Sequence, residues 1–262
     1  MFKLQNRHEV RYPDSEEISN LTLSFFPLPH NMKAHRVLIS CARLRHDVFC
    51  INNNWEPTTP DGLEVDQYDS SSHHVALTAK FHGESRQTET VLAYLRLVDG
   101  TKSSLESEHP IVPMLATQAQ IPSDIREKIA QGKSLEISRL CVSLKFNNRM
   151  TNTGGNTNIK PSNLNLIMAW RLCNRLLPDV ESFVAILEPA LCKQMERQGL
   201  KIARIGEPIN YKGQRVPVEI DMFENAALVE AMGEHFSSLL AGTIGVQTYE
   251  NTATSPVHHI RL

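Results

Sequence analysis

The chain has 262 residues, of which 41% are hydrophobic and 21% charged, an ordinary composition for a globular protein with a substantial core. Its net charge of −2 and its pI near 6.6 provide no basic field that would favour nucleic-acid binding. No apolar run reaches the length of a membrane span, and the first residues, MFKLQNRHEVRYPDSEE, have no apolar segment typical of a secretory signal. We therefore expect a cytoplasmic protein.

The cysteines favour the same compartment. There are five of them, an odd number, and none forms a CxxC pair (Cys41, Cys50, Cys141, Cys173 and Cys192). Most lie in apolar stretches, where a cysteine behaves as a small hydrophobic residue. This pattern suits a reducing environment better than a disulfide framework or a zinc site, so no metal is expected.

The predicted elements begin with a polar arm over residues 1–34. Apolar residues at helical spacing then predict a helix over 35–49. Arg45 lies off the apolar stripe and one turn from Phe49, so both side chains can face a cleft. A turn is expected at Asp61-Gly62.

The rest of the chain alternates strands and helices. Strands are expected at 73–81, 90–98, 134–143, 183–187, 201–206 and 216–222, and helices at 123–131, 163–177, 189–198 and 225–240. This order predicts an α/β fold with a mixed sheet. We divide the chain into an N-terminal arm (1–34), one domain (35–224), and a C-terminal helix and tail (225–262).

One ordered set of charged and aromatic residues stands out in the first half of the chain. Its members are Arg45, Phe49, Trp55, Glu64, Asp66, Asp69, Arg96, Glu136 and Arg139. Desolvated charges must be paired and hydrogen-bonded, so such a set is costly to bury unless something binds there. Four carboxylates against three arginines leave a local charge of −1, which suits a small substrate that bears an amine.

Two members of the set make structural demands. Arg96 lies in the otherwise apolar run TVLAYLRLV, so it must be paired, and the acidic cluster Glu64–Asp69 is its obvious partner, although such clusters are often simply solvated. Glu136 and Arg139 are three residues apart, which in a regular strand places them on opposite faces. A β-bulge or strong twist between them is therefore expected, unless this is an ordinary half-buried strand with an edge ion pair.

The spacing of these nine residues resembles that of the acyl-homoserine-lactone (autoinducer) synthases and the long-chain N-acyl amino acid synthases, both of the GNAT superfamily. The segments RLRHDVFC, DGLEVDQYDSSSHH, LRLV, LEISRLCVS and AILEPALCKQMERQGLKIARIGEPINYKGQRVPVEID are most similar to the acyltransferases associated with the PEP-CTERM/exosortase system. The resemblance covers about residues 40–222. It implies a GNAT fold, in which a mixed central sheet with two splayed parallel strands is flanked by helices.

The resemblance also implies a reaction, the transfer of a fatty acyl group from acyl carrier protein or coenzyme A to an amine. Phosphopantetheine would lie between strands 134–143 and 182–188, and the N–H groups of Leu140, Cys141, Val142 and Ser143 would polarise the thioester carbonyl. Glu136 would be the general base and Arg139 its catalytic neighbour. Arg45, Phe49, Trp55, Glu64, Asp66, Asp69 and Arg96 would form the acceptor pocket. No bound cofactor is expected, because the acyl donor is a co-substrate.

The sequence departs from the GNAT pattern in the phosphate loop. In LKFNNRMTNTGGNTNIKPSN only Arg149, Gly154 and Gly155 match its residue types, and their spacing differs. This departure favours a carrier-protein donor over coenzyme A. An acidic carrier protein could dock on a basic patch formed by Lys145, Arg149, Lys160, Arg171 and Arg175.

Two alternatives stay open at this point. The first is acyl-homoserine-lactone synthesis from S-adenosylmethionine, which the pocket aromatics do not separate from transfer to an amino acid. The second is a GNAT-fold module that binds acyl thioesters without turnover. The presence of Glu136 argues against it, since a pure binder needs no base.

Overall fold

The computed structural model describes residues 18–26, 35–81, 90–101, 120–144, 169–170, 173–174, 176–239, 244–249 and 256–259. Its strands are β1 (Ile18–Phe26), β2 (Ser72–Phe81), β3 (Thr90–Val98), β4 (Ser134–Val142), β5 (Ser182–Leu187), β6 (Ala203–Arg204), β7 (Ile209–Asn210), β8 (Gln214–Asp221), β9 (Ile244–Tyr249) and β10 (Pro256–His259). Its helices are α1 (Arg36–Arg45), α2 (Ser123–Ala130), α3 (Pro189–Arg197) and α4 (Met222–Leu239).

The strands form one mixed sheet. Its order is β10-β9-β1-β2-β3-β4-β5-β8-β6, with β7 paired to β8 as a short hairpin. β1 to β4 pair antiparallel in sequence order, and β4 and β5 are parallel at the centre. The predicted mixed α/β sheet is confirmed. Strands from the predicted N-terminal arm and C-terminal tail also join this sheet, so the domain boundaries at 35 and 224 stay predictions.

The helices end where the sequence provides stop signals. Gly199 follows α3 with φ +92°, the left-handed conformation that ends many helices and that glycine adopts without strain. The helix predicted over 35–49 has a different form. After Arg45 it continues as a π-helix, His46–Asn52, in which Asn53 N–H donates to Val48 C=O at 3.1 Å. Single π-turns of this kind are frequent at functional sites.

The two faces of the sheet bury different helices. The main core contains Trp170 and Phe183, whose rings meet edge to face at 5.6 Å, together with apolar residues of α3 and α4. α1 covers the opposite face, where Cys41 and Leu44 pack with Ala76, Tyr94 and Cys141. The described residues 169, 170, 173, 174 and 176 are helical, in agreement with the helix predicted over 163–177.

The parallel strands at the centre separate after a short pairing. β4 and β5 pair at Ser134 with Ser182, Leu135 with Phe183, and Glu136 with Val184. β4 then continues to Val142 and β5 to Leu187 without a further pair between them. The predicted splay is therefore confirmed, and Glu136 lies where the gap opens.

β4 also contains the predicted bulge. Ser138 pairs with Arg96 and Cys141 with Tyr94, so Arg139 and Leu140 both lie opposite one residue, Leu95. Arg139 has φ +53°, which is uncommon for a residue with a side chain. The extra residue shifts the alternation of β4, and this lets Glu136 and Arg139 reach the same side of the sheet.

Candidate functional site

A cavity of about 450 Å³ opens between the separated ends of β4 and β5. Its apolar walls come from the π-helix, β4, β5 and α3. They include Val48, Leu140, Val142, Ile186, Leu187 and Leu191. Its charged lining consists of three carboxylates and three cations, namely Glu56, Glu136, Glu188, Arg139, Lys212 and Arg215. The cavity therefore has an apolar part and a mixed-charge part of balanced sign.

Arg45 is fully buried and hydrogen-bonded to two carboxylates. Its Nε donates to Glu64, and its Nη1 donates to Asp69 Oδ1 at 2.6 Å. α1 supplies Arg45, and the loop before β2 supplies both carboxylates. The arginine that the sequence placed toward a cleft thus joins a helix to a loop inside the protein.

Arg96 extends the same network from β3. Its two terminal nitrogens bind Asp66, one of them also binds Asp69 Oδ1 at 2.8 Å, and Ser138 Oγ accepts at 3.2 Å. The predicted pairing of Arg96 with the acidic cluster is confirmed. Since Arg96 is fully buried, its guanidinium acts on the acidic loop and not on the cavity space.

Arg139 connects the network to the cavity. From the bulge, its Nη2 donates to Glu64 at 2.9 Å, to Asp66 at 3.0 Å and to Glu56 at 3.1 Å. Its guanidinium also lies 5.5 Å from the centre of the Phe49 ring. Three carboxylates and one aromatic face therefore hold the side chain of the one residue in β4 with positive φ.

The network has a defined protonation state. Burial opposes ionisation of Asp69, but Arg45 and Arg96 outweigh it and hold the pKa of Asp69 well below its usual range. The pKa of Asp66 is lowered in the same way, chiefly by Arg96 acting against burial. Both carboxylates are therefore ionised at neutral pH. Arg45, Arg96, Arg139 and Lys212 balance Glu56, Glu64, Asp66 and Asp69 one for one.

A buried histidine closes the network on its inner side. His74 Nε2 lies 2.9 Å from the Asp69 carbonyl oxygen, which can only accept, so this nitrogen carries the proton. His74 Nδ1 then accepts from Tyr94 O–H at 2.6 Å. Burial lowers the pKa of His74 to about 4, so the ring is neutral at physiological pH.

Strand β4 also supplies a buried carboxylate, Glu136. It is 2% exposed, lines the cavity and pairs along the strands with Val98 and Val184. Burial raises the pKa of the nearby Tyr68 hydroxyl, and the negative charge of Glu136 adds to that rise. Glu136 thus places a carboxylate at the point where β4 and β5 diverge.

Two stacked aromatic rings form the outer wall. Phe49 and Trp55 lie 6.0 Å apart between ring centres at 23°. The Phe49 carbonyl accepts from Trp55 N–H at 2.7 Å and from Glu56 N–H at 3.2 Å, which folds the loop back onto the π-helix. The two predicted aromatic walls therefore stand side by side in the cavity lining.

Comparison with known proteins identifies the architecture. Residues 44–154 match the family model of an acetyltransferase (GNAT) domain. This chain has the GNAT fold. No curated protein matches the sequence.

The solved structures similar to this GNAT domain include several acyl-homoserine lactone synthases. The CoA-dependent synthase BjaI, solved with SAM and isopentyl-CoA, is 22% identical, with 89% of this chain and 96% of that chain covered and a TM-score of 0.58. The CoA-dependent synthase MesI is 17% identical, with 85% and 98% covered and a TM-score of 0.57. TofI, in a ternary complex with an inhibitor and MTA, is 16% identical, with 80% and 96% covered and a TM-score of 0.52. At these identities the likeness establishes the fold.

The edge of β4 that faces the gap offers N–H groups. Ser143 N–H donates to the Leu92 carbonyl at 2.9 Å, which turns it toward β3. N–H direction alternates along a regular strand, so Cys141 also faces β3, whereas Val142 faces the gap. Leu140 belongs to the bulge, where this alternation is interrupted. That these four residues polarise a thioester stays a prediction.

The other predicted site residues fall into three groups. Phe49, Trp55, Glu136 and Arg139 line the cavity. Arg45, Glu64, Asp66, Asp69 and Arg96 form the network behind it, and among them Asp66 is the most exposed, with 21% of its side chain accessible. Arg149, Gly154, Gly155 and the docking residues Lys145, Lys160, Arg171 and Arg175 lie outside the described residues.

Sequence reasoning missed the residues that complete the mixed-charge part of the cavity. Glu56 bridges Arg139 and Lys212. Arg215 places its guanidinium 5.1 Å from the Trp55 ring centre. These residues lie in loops or in a short hairpin, where a charged side chain is usually solvated. The sequence signal that could have identified Glu56 was Trp55, because it immediately precedes Glu56.

Two kinds of feature are absent from the described residues. They contain no group of three or more histidine, cysteine, aspartate or glutamate side chains arranged to hold a metal ion. None of the helices in this part of the chain combines the length and the apolar character that crossing a bilayer requires.

Proposed function

We propose that this protein is a cytoplasmic N-acyltransferase of the PEP-CTERM/exosortase-associated type. It would move a medium or long fatty acyl group from acyl carrier protein or coenzyme A to the amine of an amino-acid-like acceptor. The observation that carries the proposal is the cavity at the splayed ends of β4 and β5, with a buried carboxylate at its inner end and an apolar wall beside it. Five free, buried cysteines suit a reducing cytoplasm.

The thioester would lie along the open edge of β4. Its carbonyl oxygen would accept from the N–H group of Val142, which strand alternation directs toward the gap, and from that of Leu140 in the bulge. The acyl chain would follow the apolar lining formed by residues such as Ile186, Leu187 and Leu191. Phosphopantetheine would thus complete the interrupted pairing between the two strands.

The amine would approach from the side of Trp55 and Glu136. Its nitrogen attacks the carbonyl carbon as Glu136 removes a proton, directly or through one water. The C–N bond forms, the oxyanion is held by the two N–H groups, and the C–S bond then breaks. The leaving thiolate takes up a proton. Glu136 suits the role of base because it lines the cavity at the point where β4 and β5 diverge.

The arginine network would act as a scaffold for this chemistry. Arg139 occupies the bulge, and the bulge sets the direction of the N–H groups that follow it. The carboxylates that bind Arg139 are bound in turn by Arg45 and Arg96. We therefore assign Arg45, Glu64, Asp66, Asp69 and Arg96 to positioning the acceptor wall and the bulge.

A second candidate is acyl-homoserine-lactone synthesis from S-adenosylmethionine. The similar structures described above include BjaI with SAM and isopentyl-CoA and TofI with MTA. An analogous acceptor would use the same aromatic wall, and Glu136 would again take the proton from the amine.

One mass-spectrometric assay separates the candidates. The protein is incubated with dodecanoyl-CoA or dodecanoyl-carrier protein, a mixture of the proteinogenic amino acids, and S-adenosylmethionine. The proposal predicts N-dodecanoyl amino acids. Acyl-homoserine lactone together with methylthioadenosine would support the second candidate, and the absence of any product from either donor would favour a non-catalytic binding module.

A further inference from the structure

One part of the cavity lining carries ordered cations whose role the transfer reaction itself does not explain. The β7–β8 hairpin contributes Tyr211, Lys212 and Arg215 to the lining. Three cations of this lining each lie over an aromatic ring: Arg139 over Phe49 at 5.5 Å, Lys212 over Tyr211 at 5.5 Å, and Arg215 over Trp55 at 5.1 Å. Cations fixed on ring faces are ordered groups and not freely solvated side chains.

Backbone strain concentrates around the same part of the cavity lining. Among the described residues, the non-glycine positions with positive φ are Asn54 (+51°), Arg139 (+53°) and Lys212 (+50°). Arg139 and Lys212 both bind the Glu56 carboxylate, and Asn54 immediately precedes the Trp55 wall. Uncommon conformations of this kind persist where surrounding structure imposes them, and they cluster at ligand sites. Three separate segments are therefore held in strained conformations around Glu56.

Arg215 is the anchor of the hairpin. Its Nη2 donates to the Lys212 carbonyl at 2.9 Å and its Nη1 to the Gln214 carbonyl at 3.0 Å, and it lies 3.3 Å from Glu188 at the start of α3. Since its guanidinium binds two carbonyl groups of the turn, Arg215 fixes the turn that presents Lys212. The Lys212 ammonium has three donors, one of which meets Glu56, and about a quarter of its side chain is exposed.

The charge pattern selects the kind of acceptor. The lining carries three carboxylates and three cations, so its net charge is zero. A simple amine would be best matched by a net negative lining, and a simple anion by a net positive one. A zwitterion, which presents an amine and a carboxylate a few ångströms apart, matches a lining with both signs.

We propose that Lys212 is the acceptor-specificity residue, which binds the α-carboxylate of the acceptor while Arg215 positions the hairpin. This inference rests on the proposed function for the identity of the reaction, and it narrows the acceptor to molecules with a free carboxylate next to the amine. The acceptor would lie between Lys212 and Glu136, with its side chain against Trp55. The N-acyl product would retain the carboxylate and so the contact with Lys212.

Equilibrium binding of product analogues tests this without requiring turnover. Isothermal titration compares N-dodecanoylglycine with N-dodecanoylglycinamide, which differ only in the carboxylate. We expect the wild type to bind the acid at least about tenfold more tightly than the amide, as one charge-assisted contact provides. Lys212→Met should remove most of this preference while leaving the affinity for the amide within about twofold, because the amide lacks the charge that Lys212 binds.

Two controls make the result specific. Lys201→Met removes the same charge from an exposed position outside the cavity and should keep the wild-type preference for the acid. Lys212→Arg, which retains a cation, should restore at least part of the preference. Thermal unfolding of each variant verifies that the hairpin change leaves the fold intact.

The inference and the proposed function can fail independently. Equal binding of acid and amide by the wild type, or equal weakening of both by Lys212→Met, would overturn the role of Lys212. If Lys212→Met binds coenzyme A more weakly but keeps the preference for the acid, the hairpin binds the donor. That result would also overturn the role of Lys212 in binding the acceptor. An intact acid preference without acyl transfer from either donor would refute the proposed function while the carboxylate site stands.

Discussion

At the scale of single residues, carboxylates that look alike in the sequence have different roles in the structure. Glu64, Asp66 and Asp69 satisfy arginines and are themselves satisfied by them. Glu136 lines the cavity. The surroundings distinguish the two roles, because guanidiniums hold the pKa of Asp66 and Asp69 below the usual range and leave these carboxylates little basicity.

Glu64 should be among the most sensitive positions of the network. It is 5% exposed and bridges Arg45 and Arg139, so Glu64→Gln leaves two buried cations short of one partner. Breaking a buried pair from one side typically costs about 3–5 kcal/mol, and we expect a loss of unfolding free energy in that range. Urea denaturation at neutral pH measures it. Glu234→Gln, an exposed change of the same kind, should alter stability by less than about 0.5 kcal/mol, and a similar loss in both variants would contradict the account.

His74 should impose a pH dependence on stability. Its folded pKa is lowered from 6.5 to about 4 by burial, so the unfolded chain binds a proton in this window while the folded protein does not. The contribution is therefore fully present above pH 6.5 and is lost as pH falls toward 4, at up to about 1.4 kcal/mol per pH unit. Asp66 and Asp69 add their own loss only at lower pH, because their folded pKa values lie below the unfolded value of 3.8.

The test compares the wild type with His74→Gln by urea denaturation at several pH values within this window. The variant should be less stable at neutral pH, because it loses a buried ring, but its stability should depend less steeply on pH. Parallel slopes for the two proteins would show that His74 does not titrate as the buried environment requires.

At the scale of elements, the bulge in β4 connects the network to the gap. Its existence could be predicted from the sequence, because Glu136 and Arg139 could not share a site on a regular strand. The splay of β4 and β5 was predicted from the resemblance to the GNAT superfamily. The pairing register confirms both the bulge and the splay. The π-helix could not be predicted, since its apolar spacing also fits an α-helix, and what distinguishes it is the loop that folds back onto Phe49.

Two substitutions separate the effect of the bulge conformation on stability from the effect of the Arg139 ion pairs. Arg139→Ala and Arg139→Gly both remove the guanidinium, but only glycine adopts φ +53° without a steric penalty. We expect the alanine variant to be less stable than the glycine variant by about 1 kcal/mol, the reverse of their usual order in a strand. Thermal or urea unfolding of the two variants measures this difference in stability. A glycine variant less stable than the alanine variant would contradict the bulge geometry.

At the scale of the whole molecule, the sheet brings together residues that are far apart in the chain. Arg45, Glu56, Arg139 and Lys212 come from a helix, a loop, a strand and a hairpin, and they meet in one charge network. Sequence patterns identified the α1–β4 part of it, because there each charge interrupts an apolar run or follows a recognisable spacing. They missed Lys212 and Arg215, since a charged hairpin turn looks solvated until the fold places it over Trp55.

The same reasoning explains where Arg45 lies. Helical periodicity places Arg45 off the apolar stripe of α1. It does not predict that the loop before β2 brings two carboxylates to Arg45, which is completely buried with its guanidinium over the Tyr94 ring of β3. A charged position off the apolar stripe can therefore be buried when a loop supplies its partners.

The central claim is that acyl transfer to an amine takes place at the divergence of β4 and β5 with Glu136 as the base. Steady-state transfer from dodecanoyl-CoA or dodecanoyl-carrier protein to the best acceptor, measured for the wild type and Glu136→Gln, tests it most directly. Glu207→Gln, an exposed change outside the cavity, is the control. We expect kcat of Glu136→Gln to fall by a factor of roughly 10²–10⁴ while the KM for the donor stays within about twofold. Turnover by Glu136→Gln at the wild-type rate would contradict it.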